Sequence, residues 1–122
     1  MILADTSVWI EHFRRGLPGF GEALNQNRIL THGVVIGELA TGNLSKRKST
    51  LDLLQRLPSI KAATANECLL FLESHHLYGQ GIGWGDIQLL AAARLSKVML
   101  WTSDKRLAEA SRLLGVAFSQ TH

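Results

Sequence analysis

A chain of 122 residues, 46% of them hydrophobic, is long enough for one compact domain with its own core, expected to span residues 1–122. No apolar run approaches the roughly 18 residues of a membrane helix, and the N-terminus lacks the basic stretch and small-residue cleavage site of a secretory leader; a cytoplasmic protein without membrane contact is expected. Thirteen Lys and Arg against ten Asp and Glu give a formal charge of +3. With four acids gathered into one site, thirteen bases would face six acids elsewhere, a field that favours an anionic polymer such as nucleic acid.

From the N-terminus, strand and helix signals alternate as in an α/β fold. Ile2-Leu3-Ala4 is an apolar strand that delivers Asp5, Thr6 and Ser7 at its carboxyl end. Ser7–Arg14 reads as a short helix with Val8, Ile10 and Phe13 turned inward, and Gly16, Pro18, Gly19 and Gly21 break it. A second helix is expected from about Gly21 to Asn27, then a strand over Arg28–His32. Gly33–Thr41 is helical and stops at Gly42-Asn43. Ser45–Leu57 is amphipathic, with Leu51, Leu54 and Leu57 on one stripe and Lys46, Arg47 and Lys48 crowding the first turn; Pro58 ends it. A short strand is expected around Ile60. Thr64-Ala65-Asn66-Glu67 has the capping-box pattern, which opens a helix to about Leu77 and gives Glu67 a structural role.

Gly79, Gly81 and Gly83 follow a helix and not a strand, which excludes a dinucleotide-binding loop and leaves a flexible connection. A helix over Gly85–Lys97, a strand over Val98–Thr102, a helix over Asp104–Leu114 and a last strand over Val116–Phe118 complete the chain. Cys68 stands among Leu69, Leu70 and Leu72 and reads as a buried, inert thiol. His75 and His76 are adjacent on a helix and point apart, so no shared metal site is expected there. Trp9, Trp84 and Trp101 read as core or pocket-wall residues, Trp84 being the one with a stacking role open to it.

Four acids stand out. In a parallel α/β sheet ligands bind at the carboxyl edge of the strands, and two strands ending in Asp5 and Asp104 bring these residues to one rim. Asp5 and Asp104 could each be plain helix caps, and Asp86, at a helix start, could serve only the helix dipole. Glu38 lies four residues after Val34 and three after Val35, beside the packed side of its helix, and should be half-buried. No Lys or Arg occurs between Arg28 and Lys46 to pair with it locally. Converging carboxylates repel one another, and a hard divalent cation with oxygen ligands relieves that repulsion.

Taken together and in order, Ala4-Asp5-Thr6-Ser7-Val8-Trp9, Val35-Ile36-Gly37-Glu38-Leu39-Ala40, the stretch from Gly83-Trp84-Gly85-Asp86 to Ala93, and Thr102-Ser103-Asp104-Lys105-Arg106-Leu107 resemble the PIN-domain ribonucleases, and within them the toxins of VapBC-type toxin–antitoxin pairs. The resemblance spans nearly the whole chain. It departs from many relatives after Asp104, where Lys-Arg-Leu replaces Lys-Asp-Phe. It implies a three-layer α/β domain with a central parallel sheet. It further implies an acidic pocket of Asp5, Glu38, Asp86 and Asp104 that binds Mg²⁺ or Mn²⁺, with Thr6, Ser7 and Thr102 orienting the carboxylates. The implied activity is endonucleolytic cleavage of RNA, the implied partner a small antitoxin protein, and the implied assembly a homodimer. Two other functions share these features: a catalytically idle nucleic-acid-binding or regulatory domain, and a phosphatase with Asp5 as nucleophile. Such phosphatases generally need a second acid two residues on, where Ser7 stands.

Overall fold

In the computed structural model, which describes residues 1–119, the last three residues of the expected domain lie outside the described ones. The elements are β1 (Ile2–Ala4), α1 (Thr6–Arg15), α2 (Pro18–Asn25), β2 (Ile29–Leu30), α3 (Gly33–Thr41), α4 (Arg47–Arg56), α5 (Ala65–Ser74), α6 (Trp84–Ser96), β3 (Met99–Trp101) and α7 (Lys105–Leu113). The strands form a parallel sheet in the order β2-β1-β3, with Leu3 level with Leu30 and Leu100. Parallel strands must be joined by crossovers, and the helices that make them flank the sheet in a three-layer α/β arrangement, as expected.

β1 is the middle strand, and Ile2, Leu3 and Ala4 are all buried. That is the near-continuous apolar run of a strand covered on both faces. The other central element is α6, where the five consecutive residues Leu89, Leu90, Ala91, Ala92 and Ala93 are buried. A helix apolar all round belongs inside a protein, and the three alanines let α5, α3 and β3 pack closely around it. Cys68 is buried as expected, and burial pushes its thiol up. Thr64 and Glu67 form the expected capping box, each side chain accepting from the other's backbone N–H, at 3.1 and 2.8 Å.

Several boundaries differ from the sequence reading. α2 starts at Pro18, three residues early, because proline suits the first helical position; the break lies at Gly16, with φ +71°. α4 starts at Arg47 behind a left-handed Lys46, and α5 stops at Ser74 ahead of a left-handed His76 and does not reach Leu77. The strands expected around Ile60 and over Val116–Phe118 each shrink to one parallel bridge, Thr31 with Ser59 and Leu100 with Ala117. In α1 the buried residues are Val8 and Trp9, while Ile10 and Phe13 are 44% and 42% exposed. Capping by Asp5 starts the helix at Thr6, and that register turns Trp9 against Phe20 and sends Ile10 and Phe13 to the outer flank.

Candidate active site

Because β1 is central, its carboxyl end is both buried and at the rim where ligands bind. The Asp5 N–H still donates along the sheet, to the Trp101 carbonyl at 3.0 Å, while its side chain turns to cap α1 and accepts from the Val8 N–H at 3.2 Å. Only 5% of Asp5 is exposed. Its two oxygens are shared between hydroxyls: Ser7 donates to Oδ1 at 2.6 Å and Thr102 to Oδ2 at 2.5 Å. Each hydroxyl in turn accepts from backbone, Ser7 from the Ser103 N–H at 2.9 Å and Thr102 from the Asp104 N–H at 3.0 Å. Such chains polarise along their length, and here both point at Asp5. Burial nevertheless raises the Asp5 pKa above the usual carboxylate value, against the pull of these hydrogen bonds, and the nearby charge of Asp86 adds to the rise.

The other three acids arrive from three different elements. Thr6, one residue past Asp5, donates to Glu38 Oε1 of α3 at 2.5 Å. Glu38 is exposed, contrary to the half-buried expectation; the buried stripe of α3 is Val35 and Leu39, and Glu38 stands beside it facing the cleft. Asp86, in the first turn of α6, accepts from the Gly83 N–H at 3.2 Å through Oδ2. Its pKa is also raised, first by burial, then by the charges of Asp104 and Glu38. Asp104 is exposed and caps α7, accepting from the Leu107 N–H at 2.9 Å through Oδ1.

Asp5, Thr6, Ser7, Glu38, Asp86 and Asp104 line one cleft of about 370 Å³ floored by Ile10 and Leu89, and no Lys or Arg is among the lining residues. A larger groove of about 490 Å³ shares Ile10 and Glu38 with it and runs on past Phe13, Arg14, Leu44 and Lys46. Glu38 is its sole acid, so the four acids meet only in the smaller cleft. Among the described residues, no three Asp, Glu, His or Cys groups enclose a point that could hold an ion as the side chains lie. Each carboxylate is turned toward its own donor. The donor set itself, four carboxylates on a shared cleft, is the hard-oxygen chemistry that suits Mg²⁺ or Mn²⁺.

Three further residues support the elements that carry these acids, in roles the sequence reading did not give them. A Cβ on Gly85 would stand 3.1 Å from Val34 Cγ1 and 3.4 Å from Glu38 Oε2, so this glycine lets α6 lie against α3 beside Glu38; a glycine inside a helical pattern, next to an acid, was the available signal. Ser103 ties its N–H to Ser7 and its hydroxyl to Glu11 at 2.8 Å, and Glu11 also pairs with Arg15. Arg47 donates to the Ala40 and Gly42 carbonyls at 2.6 and 3.4 Å, closing the end of the helix that carries Glu38. Its neighbours Lys46 and Lys48 make no ion pair among the described residues.

Comparison with known proteins adds an independent line. The family model for the PIN domain matches residues 2–113. Ribonuclease VapC32 of Mycobacterium tuberculosis, from each of two strains, is 40% identical over 121 residues, covering 98% of both chains. Among solved structures, the PAE2754 protein of Pyrobaculum aerophilum superposes with a TM-score of 0.60 at 14% identity, over 93% of this chain and 86% of that one, a likeness of fold.

Proposed function

The chain belongs to the PIN-domain family, in its VapC-type branch, and from that premise we propose that it is a metal-dependent endoribonuclease, the toxin of a toxin–antitoxin pair. The observation that carries the proposal is the meeting of Asp5, Glu38, Asp86 and Asp104 on one cleft at the carboxyl edge of a parallel sheet, with no base among the lining residues. The curated relatives of nearly equal length are named as ribonucleases, which supports RNA as the substrate.

Asp5, Glu38, Asp86 and Asp104 would hold Mg²⁺ or Mn²⁺. When bound, such an ion supplies Lewis-acid activation of a water and neutralises charge on the scissile phosphate. The protein's own part is positioning. Ser7, Thr102 and the Val8 N–H fix Asp5, and Thr6 fixes Glu38. Glu38 Oε2, Asp86 Oδ1 and Asp104 Oδ2 make no hydrogen bond among the described residues, and these are the oxygens that would be free to take the proton of the attacking water. Asp5 has both oxygens engaged inside the protein, which suits an anchoring ligand and not the phosphatase nucleophile. Arg14 and Lys46 on the adjoining groove would hold RNA phosphates beside the cleft.

No helix among the described residues is long and apolar enough to cross a membrane. We assign the protein to the cytoplasm as a single PIN domain that pairs with itself and is neutralised by a small antitoxin protein. Incubation of cellular RNA with the purified protein in Mg²⁺ or Mn²⁺, and in excess chelator, tests the proposal. Cleavage in metal alone is expected, and undiminished cleavage in chelator would falsify it.

A further inference from the structure

The sequence left a stacking role open to Trp84, yet that residue lines neither the acidic cleft nor the larger groove beside it. The exposed aromatic that does line the groove is Phe13. Ile10 and Phe13 stand one turn apart on the outer flank of α1, and both are exposed. Leu39 of α3 and Leu44 beyond it continue the apolar lining, around a volume of about 490 Å³. The buried Trp9 packs against the Phe13 ring, with centroids 5.7 Å apart and planes tilted by 40°, and so holds it in place. Exposed apolar side chains scattered singly mean little, but these gather in one concavity of the size that takes a ligand.

Two cations line the same groove, Arg14 of α1 and Lys46 at the start of α4. Neither makes an ion pair among the described residues: Glu11, the acid one turn before Arg14, pairs with Arg15 instead. Asn43 and Ser45, both exposed, add polar side chains from the loop between α3 and α4. Ile10 and Glu38 belong to both the groove and the acidic cleft. Whatever fills the groove therefore runs on directly into the acids. An apolar floor, free cations and a wall shared with a phosphate-cleaving centre suit a nucleotide better than a protein segment, because the base can lie on the floor while its phosphates meet the cations. Single-stranded RNA offers bases that splay out and stack on aromatic rings.

We propose that this groove is a nucleobase subsite, in which the Phe13 ring stacks on an unpaired base next to the scissile phosphate of single-stranded RNA while Arg14 and Lys46 hold the neighbouring phosphates. This rests on the ribonuclease reading above and deepens it, by placing a base-recognition position beside the acids. Stacking is tolerant of base identity, so Phe13 selects for an unpaired base at one position and sets the register of cleavage. Asn43 and Ser45 supply donors and acceptors for the edge of that base.

The test uses the full chain in an Asp5→Asn background, which suppresses cleavage, with short single-stranded RNA oligonucleotides carrying one abasic nucleotide moved along the strand. Phe13→Ala is expected to weaken binding of the intact oligonucleotide by about 5- to 150-fold, whereas Phe13→Tyr, which keeps the ring, should bind like the protein with Phe13. One abasic position alone should erase the difference in affinity between the proteins with and without the Phe13→Ala change, and that position should lie next to the cleavage point. With Phe13 intact, a photoreactive thiouridine at the same position should cross-link to the peptide that carries Phe13, a readout independent of how the alanine variant folds. Equal binding by Phe13→Ala, a loss spread evenly over all abasic positions, or cross-links that fall only outside the groove would each overturn the proposal. So would a Phe13→Ala protein, with Asp5 intact, that cleaves RNA like the parent but no longer binds its antitoxin, since the groove would then be a protein contact. A parent that cuts no RNA in any metal would instead defeat the ribonuclease reading itself.

Discussion

Asp5 and Asp104 both follow a strand and cap the helix after it, accepting from the Val8 and Leu107 N–H groups, yet one is 5% exposed and the other lies open to solvent. Asp5 comes directly after the middle strand, and three donors hold its two oxygens. Asp104 comes after an outer strand and a two-residue step through Thr102 and Ser103, and only one of its oxygens is held. The same local device thus serves two purposes, and the strand order decides which. A central strand makes a rigid carboxylate with a raised pKa; an outer one makes a carboxylate free to turn toward a ligand.

That contrast is broken most strongly by activity measurements on the two amides. On the proposed metal site, Asp5→Asn should lower RNA cleavage by about 100-fold or more, because it would remove a negative, pre-oriented hard-ion ligand, while Asp104→Asn should cost closer to about 10-fold. Steady-state cleavage of one oligonucleotide by each variant checks the order, and a larger loss at Asp104 would reverse the assignment of anchor and mobile ligand.

A smaller effect sharpens the geometry between the acids. Gly85→Ala adds a methyl group 3.4 Å from Glu38 Oε2 and 3.1 Å from Val34 Cγ1. Alanine's better helix propensity, about 1 kcal/mol over glycine, offsets the crowding. We expect a melting temperature within a few degrees of the parent and a roughly 10-fold fall in kcat, since Val34 must give by a few tenths of an ångström and α3, which carries Glu38, must move with it. Full activity would show that the α3–α6 approach does not set the cleft.

The smallest effect concerns the basic turn at the start of α4. Arg47→Ala should destabilise by about 1 kcal/mol through the lost bonds to the Ala40 and Gly42 carbonyls. It should leave the salt dependence of RNA binding unchanged, whereas Lys46→Glu should flatten it. Binding isotherms at several salt concentrations, with denaturant melts, separate the two.

The legible part of this molecule was what a short window of sequence determines. The apolar run before Asp5, the Thr64–Glu67 cap and the all-apolar stretch of α6 each state their environment locally. Asp5 and Asp104 could be placed at one rim because parallel strands fix which ends meet. What stayed hidden depends on distant partners: the register that exposes Ile10 and Phe13, the Thr6 hydroxyl that serves Glu38, and Arg106 resting on Gly81. Lys46, Arg47 and Lys48 looked alike as a charge run, and only the fold shows that Arg47 is occupied with the end of α3.

The central claim is that these carboxylates form one cation site, and thermal melting of the parent and Asp5→Asn, each with and without Mg²⁺, tests it most directly. Burial raises the folded pKa of Asp5 and Asp86, so the metal-free protein holds more protons there than the unfolded chain. Their stabilising contribution is full below the ordinary carboxylate pKa and is lost as pH rises through the raised one. Half-buried His12 and buried His32, whose pKa values are lowered by desolvation, act in the opposite sense as pH falls below the ordinary histidine value, and comparing the two proteins at each pH cancels them. Without metal at neutral pH, Asp5→Asn should melt a few degrees above the parent, and the gap should close toward about pH 4. Mg²⁺ should raise the melting temperature of the parent and leave that of the variant unmoved. A variant that melts below the parent without metal and still responds fully to Mg²⁺ would contradict the shared site.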